Sequence, residues 1–310
     1  LPAVADALRA QGRGDVERPE RPHLPVGKDA VPPEGGDPSP EPRGTGLVMP
    51  AYVHGSPYYA TKIASVIDDN PTRGLPTVNA AIALTDSRTG LPVAYLAGTR
   101  ITNARTGCVG GLAARELAAE RPVRVGVIGA GTQARWQARA IAAATDVDTV
   151  RVYSPSDSRE ACAAELREAG IDAEAVGSPA AAVEGASVVV TATTATAPVF
   201  DGDDLSPGAL VIAVGAYTPE TRELDDRTVD RAAALFADVP EEAAETGDFP
   251  NHGADALTPF SDVLEGNAGR AHSDDVLVVA SVGTAVLDAA TAELVYETAV
   301  EEAIGTETTL

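Results

Sequence analysis

The sequence predicts an α/β protein: a doubly wound parallel sheet domain inserted in a β-rich α+β domain. Three observations carry this. Up to about residue 100, short apolar stretches alternate in period two and are joined by turn residues, as in antiparallel strands. From Val123 onward, short apolar runs alternate with helical segments, as in a parallel sheet covered on both faces. The chain then ends in one long helical segment, TAVLDAATAELVYETAVEEA, long enough to return to the first domain. The expected divisions are residues 1–112, 113–284 and 285–310.

The elements follow in order. Residues 1–20 read as a helix and a loop, and residues 24–46, which include Lys28, are rich in Pro and Gly and read as a surface connection. Strands are expected at Leu47–Tyr52, around Lys62 in TKIASVI, at Ala80–Leu84 and at Val93–Leu96, with Asp86–Gly90 as a hairpin turn. The pattern changes at Thr102, where TNARTGCVGGLAARELA has helical spacing and Thr102 reads as its N-cap. That puts Arg105 in the first turn of a helix, where the dipole disfavours a cation unless an anion joins it. Arg105 and the nearby free N–H groups then suit a carboxylate. Further strands are expected in TVRVYSPS, ASVVVTATT, GALVIAVGAY, AALFADV and VLVVASVG, with a helix in SREACAAELREAG and a loop from Thr246 to Asp274.

The 310 residues carry 46 acidic and 23 basic side chains, a net charge of −23, which opposes binding to a phosphate backbone and argues against a nucleic-acid partner. Only Lys28 and Lys62 are lysines; the other 21 cations are Arg. Many acids with almost no Lys suit a high-salt environment, and a high-GC genome is the plainer explanation. No apolar run reaches the length of a bilayer span, and no signal-peptide core is evident, so a soluble cytoplasmic protein is expected. The chain begins at Leu1 rather than Met, which suggests that sequence precedes it. Two cysteines and four scattered histidines offer no metal-ligand spacing.

Gly129, Gly131 and Ala134 form G-x-G-x-x-A directly after the strand Val123–Ile128 and at the start of a helix. The first Gly permits the tight turn, the second lets a pyrophosphate approach the backbone, and the third position must be small for helix–strand packing. The register of strand, turn and helix marks a Rossmann-type dinucleotide site. The second strand ends at Ser154, where an acid would select NAD by holding the ribose hydroxyls. Ser154, Ser156 and Arg159 suit a 2′-phosphate instead, which favours NADP(H) over NAD(H), although Asp157 lies one turn on. Lys62 stands in an alternating strand, where a lone Lys is usually a surface charge.

Together, MPA at Met49, Lys62, N-P at Asn70, GLPT at Gly74, IT-x-x-RT at Ile101 and GAGTQA at Gly129 resemble the ornithine cyclodeaminase/mu-crystallin family, which includes archaeal-type alanine dehydrogenase. The resemblance continues through TATTATAP near Thr193, VIAVGAYTPETREL from Val211 and SVGTAVLDAATAELVY from Ser281. It implies a homodimer whose first domain builds the dimer interface and substrate pocket. It implies cofactor contacts at Gly129, Gly131, Thr132, Gln133, Ala134, Ser154, Ser156, Arg159, Thr193, Thr194, Val214 and Gly283. It also implies that Lys62, Arg105 and Arg21 face the substrate carboxylate, with Lys62 and Arg105 catalytic. Lys62 would handle a proton if burial and a neighbouring Arg lower its pKa.

The sequence departs from true ornithine cyclodeaminases at Tyr217, where they carry an Asp that holds the ornithine δ-amino group. The expected activity is therefore NAD(P)-dependent oxidoreduction at the C=N or C–N bond of a small imino or amino acid. Ketimine or cyclic imino acid reduction and alanine dehydrogenation are the forms of it. Ornithine cyclodeamination and a crystallin-like protein that binds cofactor without turnover are the alternatives.

Overall fold

The computed structural model describes residues 1–27, 42–67 and 69–308, so Lys28 and most of the Pro/Gly-rich stretch lie outside the described residues. The chain divides into two compact units, Leu1–Gly12 with Asn103–Thr284, and Arg13–Thr102 with Ala285–Leu310. In chain order the first elements are α1 (Pro2–Arg13), β1 (Val16–Glu17), β2 (His23–Val26), β3 (Gly44–Val53), β4 (Tyr58–Val66), β5 (Val78–Asp86), β6 (Pro92–Leu96) and α2 (Gly98–Leu117). They are followed by β7 (Val123–Ile128), α3 (Thr132–Ala144), β8 (Val147–Tyr153), α4 (Ser158–Glu168), β9 (Ala173–Ala175), α5 (Pro179–Val183), β10 (Val188–Thr191) and β11 (Leu210–Ala213). The last are α6 (Asp226–Arg231), β12 (Ala232–Ala237), α7 (Pro240–Ala243), β13 (Leu257–Pro259), α8 (Phe260–Leu264), β14 (Val276–Ala280) and α9 (Ala285–Glu301).

The antiparallel unit is a sheet of order β1-β3-β4-β5-β6, with β2 also paired to β3. Period-two alternation assigns its faces. Ala60, Lys62 and Ala64 of β4 are buried, as are Met49 of β3 and Ile82 and Leu84 of β5, and α9 packs across these strands. On the other face Tyr59, Ile63 and Tyr95 are exposed. Asp86 closes the β5–β6 turn by accepting the N–H groups of Arg88 and Thr89, which holds its carboxyl below the usual carboxylate range.

The other unit is an eight-stranded parallel sheet of order β13-β12-β14-β11-β10-β7-β8-β9. Every residue of β10, β11 and β14 is buried, which explains why these strands read as unbroken apolar runs. The order reverses at β7, which lies between β8 and β10, and such a reversal opens a crevice beyond the strands' carboxyl ends.

Three expectations need correction. First, α1 belongs to the parallel unit, although the sequence placed residues 1–112 together. It buries Val4, Ala5, Ala7, Leu8 and Ala10, and Arg9 donates to the Leu264 carbonyl. Second, the expected loop 246–274 contains β13 and α8, and β13 extends the sheet by pairing with β12. Three-residue strands carry too little periodicity to be read. Third, α2 begins at Gly98, so Thr102 is not its N-cap and Arg105 lies about two turns inside the helix. The terminal N–H groups of α2 are therefore not beside Arg105.

Candidate active site

The glycine-rich turn joins β7 to α3. Gly129 has φ +112°, and a Cβ there would collide with the Ala192 carbonyl, so both conformation and space require Gly. At Gly131 a Cβ would meet no protein atom within 4 Å. Protein packing does not demand Gly at that position, and the open space leaves room for a ligand to approach the backbone. Ala134 is fully buried, Gly131 is the N-cap of α3 without a side-chain cap, and Thr132 beside it is exposed. The N–H groups of the first turn thus suit a pyrophosphate. Gln133 donates to Asn103 Oδ1 at 2.9 Å.

Sequence reasoning missed Arg135, which braces this turn. Its Nη1 donates to the Ala130 and Gly131 carbonyls. Its Nε and Nη2 form a bidentate pair with Glu165 of α4 at 2.8 and 2.9 Å. That pair holds the Glu165 carboxyl below the usual carboxylate range. One residue beyond the motif, an Arg reads only as a solvated helix charge.

Beyond β8, the hydroxyls of Ser154, Ser156 and Ser158 converge: Ser156 and Ser158 are 2.7 Å apart, and Ser154 is 3.2 Å from Ser158. Arg159 Nη1 donates to the Ser154 and Ser156 carbonyls at 3.0 and 3.2 Å. Asp157 is exposed and 3.9 Å from Arg159.

Beyond β10 and β11 the buried Glu223 ties the loops together. It accepts Thr191 Oγ1 at 2.8 Å, the Thr193 N–H at 2.6 Å and the Gly215 N–H at 2.7 Å. Burial pushes its carboxyl up, the three donors oppose this, and nearby Asp248 adds to the rise. Thr193 and Val214 are half-buried and Thr194 is exposed. Tyr217, 49% exposed, lies two residues past Gly215. Of the two acids nearby in the chain, Glu223 is committed to these donors and Glu220 is exposed.

Beyond β14, Asp238 accepts the N–H groups of Val282 and Gly283 at 3.0 and 2.9 Å. Gly283 has φ +79°, and a Cβ there would collide with the Arg105 guanidinium. Arg105, 4% exposed, thus lies against a loop at the sheet's carboxyl edge, the edge that carries Gly129, Thr193 and Val214.

In the antiparallel unit, Lys62 and Asp288 form a buried ion pair, Nζ to Oδ2 at 2.5 Å, with side-chain exposures of 4% and 1%. Thr102 Oγ1 lies 3.3 Å from Lys62 Nζ and 3.3 Å from Asp288 Oδ1. Lys62 is thus no surface charge, and its contact is a carboxylate that the sequence did not single out. Arg21, half-buried, precedes β2, which pairs with β3, and β3 pairs with the strand of Lys62. Among the described residues no group of three His, Cys, Asp or Glu could hold a metal ion, and no helix is long and apolar enough to cross a membrane.

Residues 25–303 match the family model described as ornithine cyclodeaminase/mu-crystallin family. The chain is 32% identical over 277 residues to a Δ1-pyrroline-2-carboxylate reductase of Bacillus cereus, covering 84% of this chain and 83% of that protein. Its fold matches the structure of Thermococcus litoralis Δ1-pyrroline-2-carboxylate reductase in complex with NADH and L-proline. There the TM-score is 0.90 and the identity 31%, over 99% of this chain and 94% of that one. It also matches an archaeal alanine dehydrogenase dimer with bound NAD at TM-score 0.87 and 27% identity, over 100% of this chain and 93% of that one. With residues 25–303 matched by the family model and relatives above 30% identity over most of its length, the chain belongs to the ornithine cyclodeaminase/mu-crystallin family.

Proposed function

We propose that the protein is an NAD(P)H-dependent reductase of a small imino acid, with a cyclic imine such as Δ1-pyrroline-2-carboxylate as its first substrate class. The observation that carries this is Arg105 packed on Gly283, a buried guanidinium at the carboxyl edge of a sheet whose Gly131 faces open space. A dinucleotide held on that edge would share it with Arg105, a cation suited to a carboxylate. A bound NAD(P)H would supply the hydride for the carbon of the C=N bond; with a proton taken up at the nitrogen, the products would be the amino acid and NAD(P)+. Arg105 and Lys62 are assigned to the carboxylate, with Arg21 as a third cation. Glu223 and Asp238 fix the loops that bear Thr193, Gly215 and Gly283.

NADP(H) is the preferred cofactor in this reading, because three hydroxyls and Arg159 gather where an acid would hold a bare ribose. A cytoplasmic homodimer belongs to the same reading, with the exposed face of Tyr59, Ile63 and Tyr95 covered by a second copy.

The test is loss of nicotinamide absorbance when Δ1-pyrroline-2-carboxylate is added to protein and NADPH in high salt. Steady oxidation is expected. Cofactor binding without oxidation, with pyrroline-2-carboxylate, piperideine-2-carboxylate or pyruvate plus ammonia, would leave the binding-protein alternative. L-Ornithine with catalytic NAD should release little ammonia. Its δ-ammonium meets Tyr217 rather than a carboxylate, and an unpaired buried charge costs several kcal/mol.

A further inference from the structure

We propose that Asp288 is a positioning residue for Lys62: it keeps that side chain a fixed ammonium in one place. The inference rests on the assignment of Lys62 to the substrate. The inward row of β4 runs Ala60, Lys62, Ala64, and Lys62 pairs across the sheet with Met49 and Ile82, all of them buried. An ammonium in such surroundings needs a counter-charge in contact. Asp288, in the first turn of α9, supplies it at 2.5 Å, and Thr102 touches both partners.

A purely structural pair has little reason to stand here, since apolar side chains of similar volume would fill the site at no loss of stability. The position of Asp288 near a helix N-terminus suits any acid. Its burial and its contact with Lys62 are what point to the site. An opposite charge in contact favours the charged form of Lys62, so the lysine acts as a fixed cation for the carboxylate rather than as a neutral amine.

The experiment is a double-mutant cycle on the full chain, with Δ1-pyrroline-2-carboxylate and NADPH as probes. Lys62→Met and Asp288→Asn should each lower kcat/KM about a hundredfold, with NADPH Kd within about twofold of the parent. Asp288→Glu should recover at least about tenfold over Asp288→Asn. The double variant, which removes both charges and so folds even if Asp288→Asn does not, should match Lys62→Met within about threefold. Near-parent activity in Asp288→Asn, or a further tenfold loss in the double variant, would overturn the role of Asp288. Full turnover in Lys62→Met would instead remove the assignment of Lys62, whatever Asp288→Asn does.

Discussion

The three serine hydroxyls beyond β8 contact one another, and one cation holds the backbone that carries two of them. Arg159 braces the carbonyls of Ser154 and Ser156, and its charge is the natural partner of a 2′-phosphate. One charge-assisted contact is worth about 1.5–3 kcal/mol, which is roughly ten- to a hundredfold in Kd. Arg159→Leu should therefore weaken NADPH by at least about tenfold and leave NADH nearly unchanged; equal losses for both cofactors would give Arg159 a bracing role only. Glu223→Gln should be costly for a different reason. Both its oxygens accept from N–H or O–H donors, so an amide NH₂ must face a donor, at about 1–3 kcal/mol in unfolding free energy measured by denaturant titration. Stability equal to the parent would show that the loops rearrange. What the sequence disclosed at this scale was local chemistry. Gly129, Gly131 and Ala134 were legible because a tight turn constrains adjacent residues. Asp288 was not, because it meets Lys62 across 226 positions and reads as an ordinary helix acid.

Helix α2 shows how an element's boundary can mislead. Thr102 has the residue type of an N-cap, yet its hydroxyl is turned to Lys62 and Asp288 while the helix already runs from Gly98. Gly107, Gly110 and Gly111 share one face of α2 and form the seat of α3. A Cβ at Gly107 would lie 2.7 Å from the Trp136 carbonyl, and one at Gly111 would lie 2.6 Å from the Ala140 carbonyl. Gly→Ala in a helix interior gains about 1 kcal/mol in propensity, whereas overpacking against backbone costs about 1–3 kcal/mol. The second effect should win. Gly107→Ala is expected to lower Tm by a few degrees in a thermal melt, and an unchanged or raised Tm would mean that α3 gives way freely. The strand–helix alternation was readable because β10, β11 and β14 are apolar throughout. β13 and α8 were too short to show a period.

For the molecule as a whole, a net charge of −23 opposes compaction through self-repulsion, which salt screens. The exposed Arg–acid pairs, such as Arg227 with Asp203, weaken in salt but contribute little each. The repulsion term should dominate. Tm is expected to rise as KCl goes from millimolar to molar, and a flat or falling Tm would show that the acidic surface is already balanced. The division of the chain also bears on how the protein is made. α1 is made before the rest of its unit, yet it buries its apolar face in the parallel unit. Its side chains bond Leu264, Asp238 and Thr284, at separations of 255, 227 and 273 residues. At typical synthesis rates those partners emerge roughly ten to fifty seconds later. The antiparallel strands β1–β6 are made early in that interval, while α1 still lacks these three partners, which makes it a natural handle for a chaperone during translation.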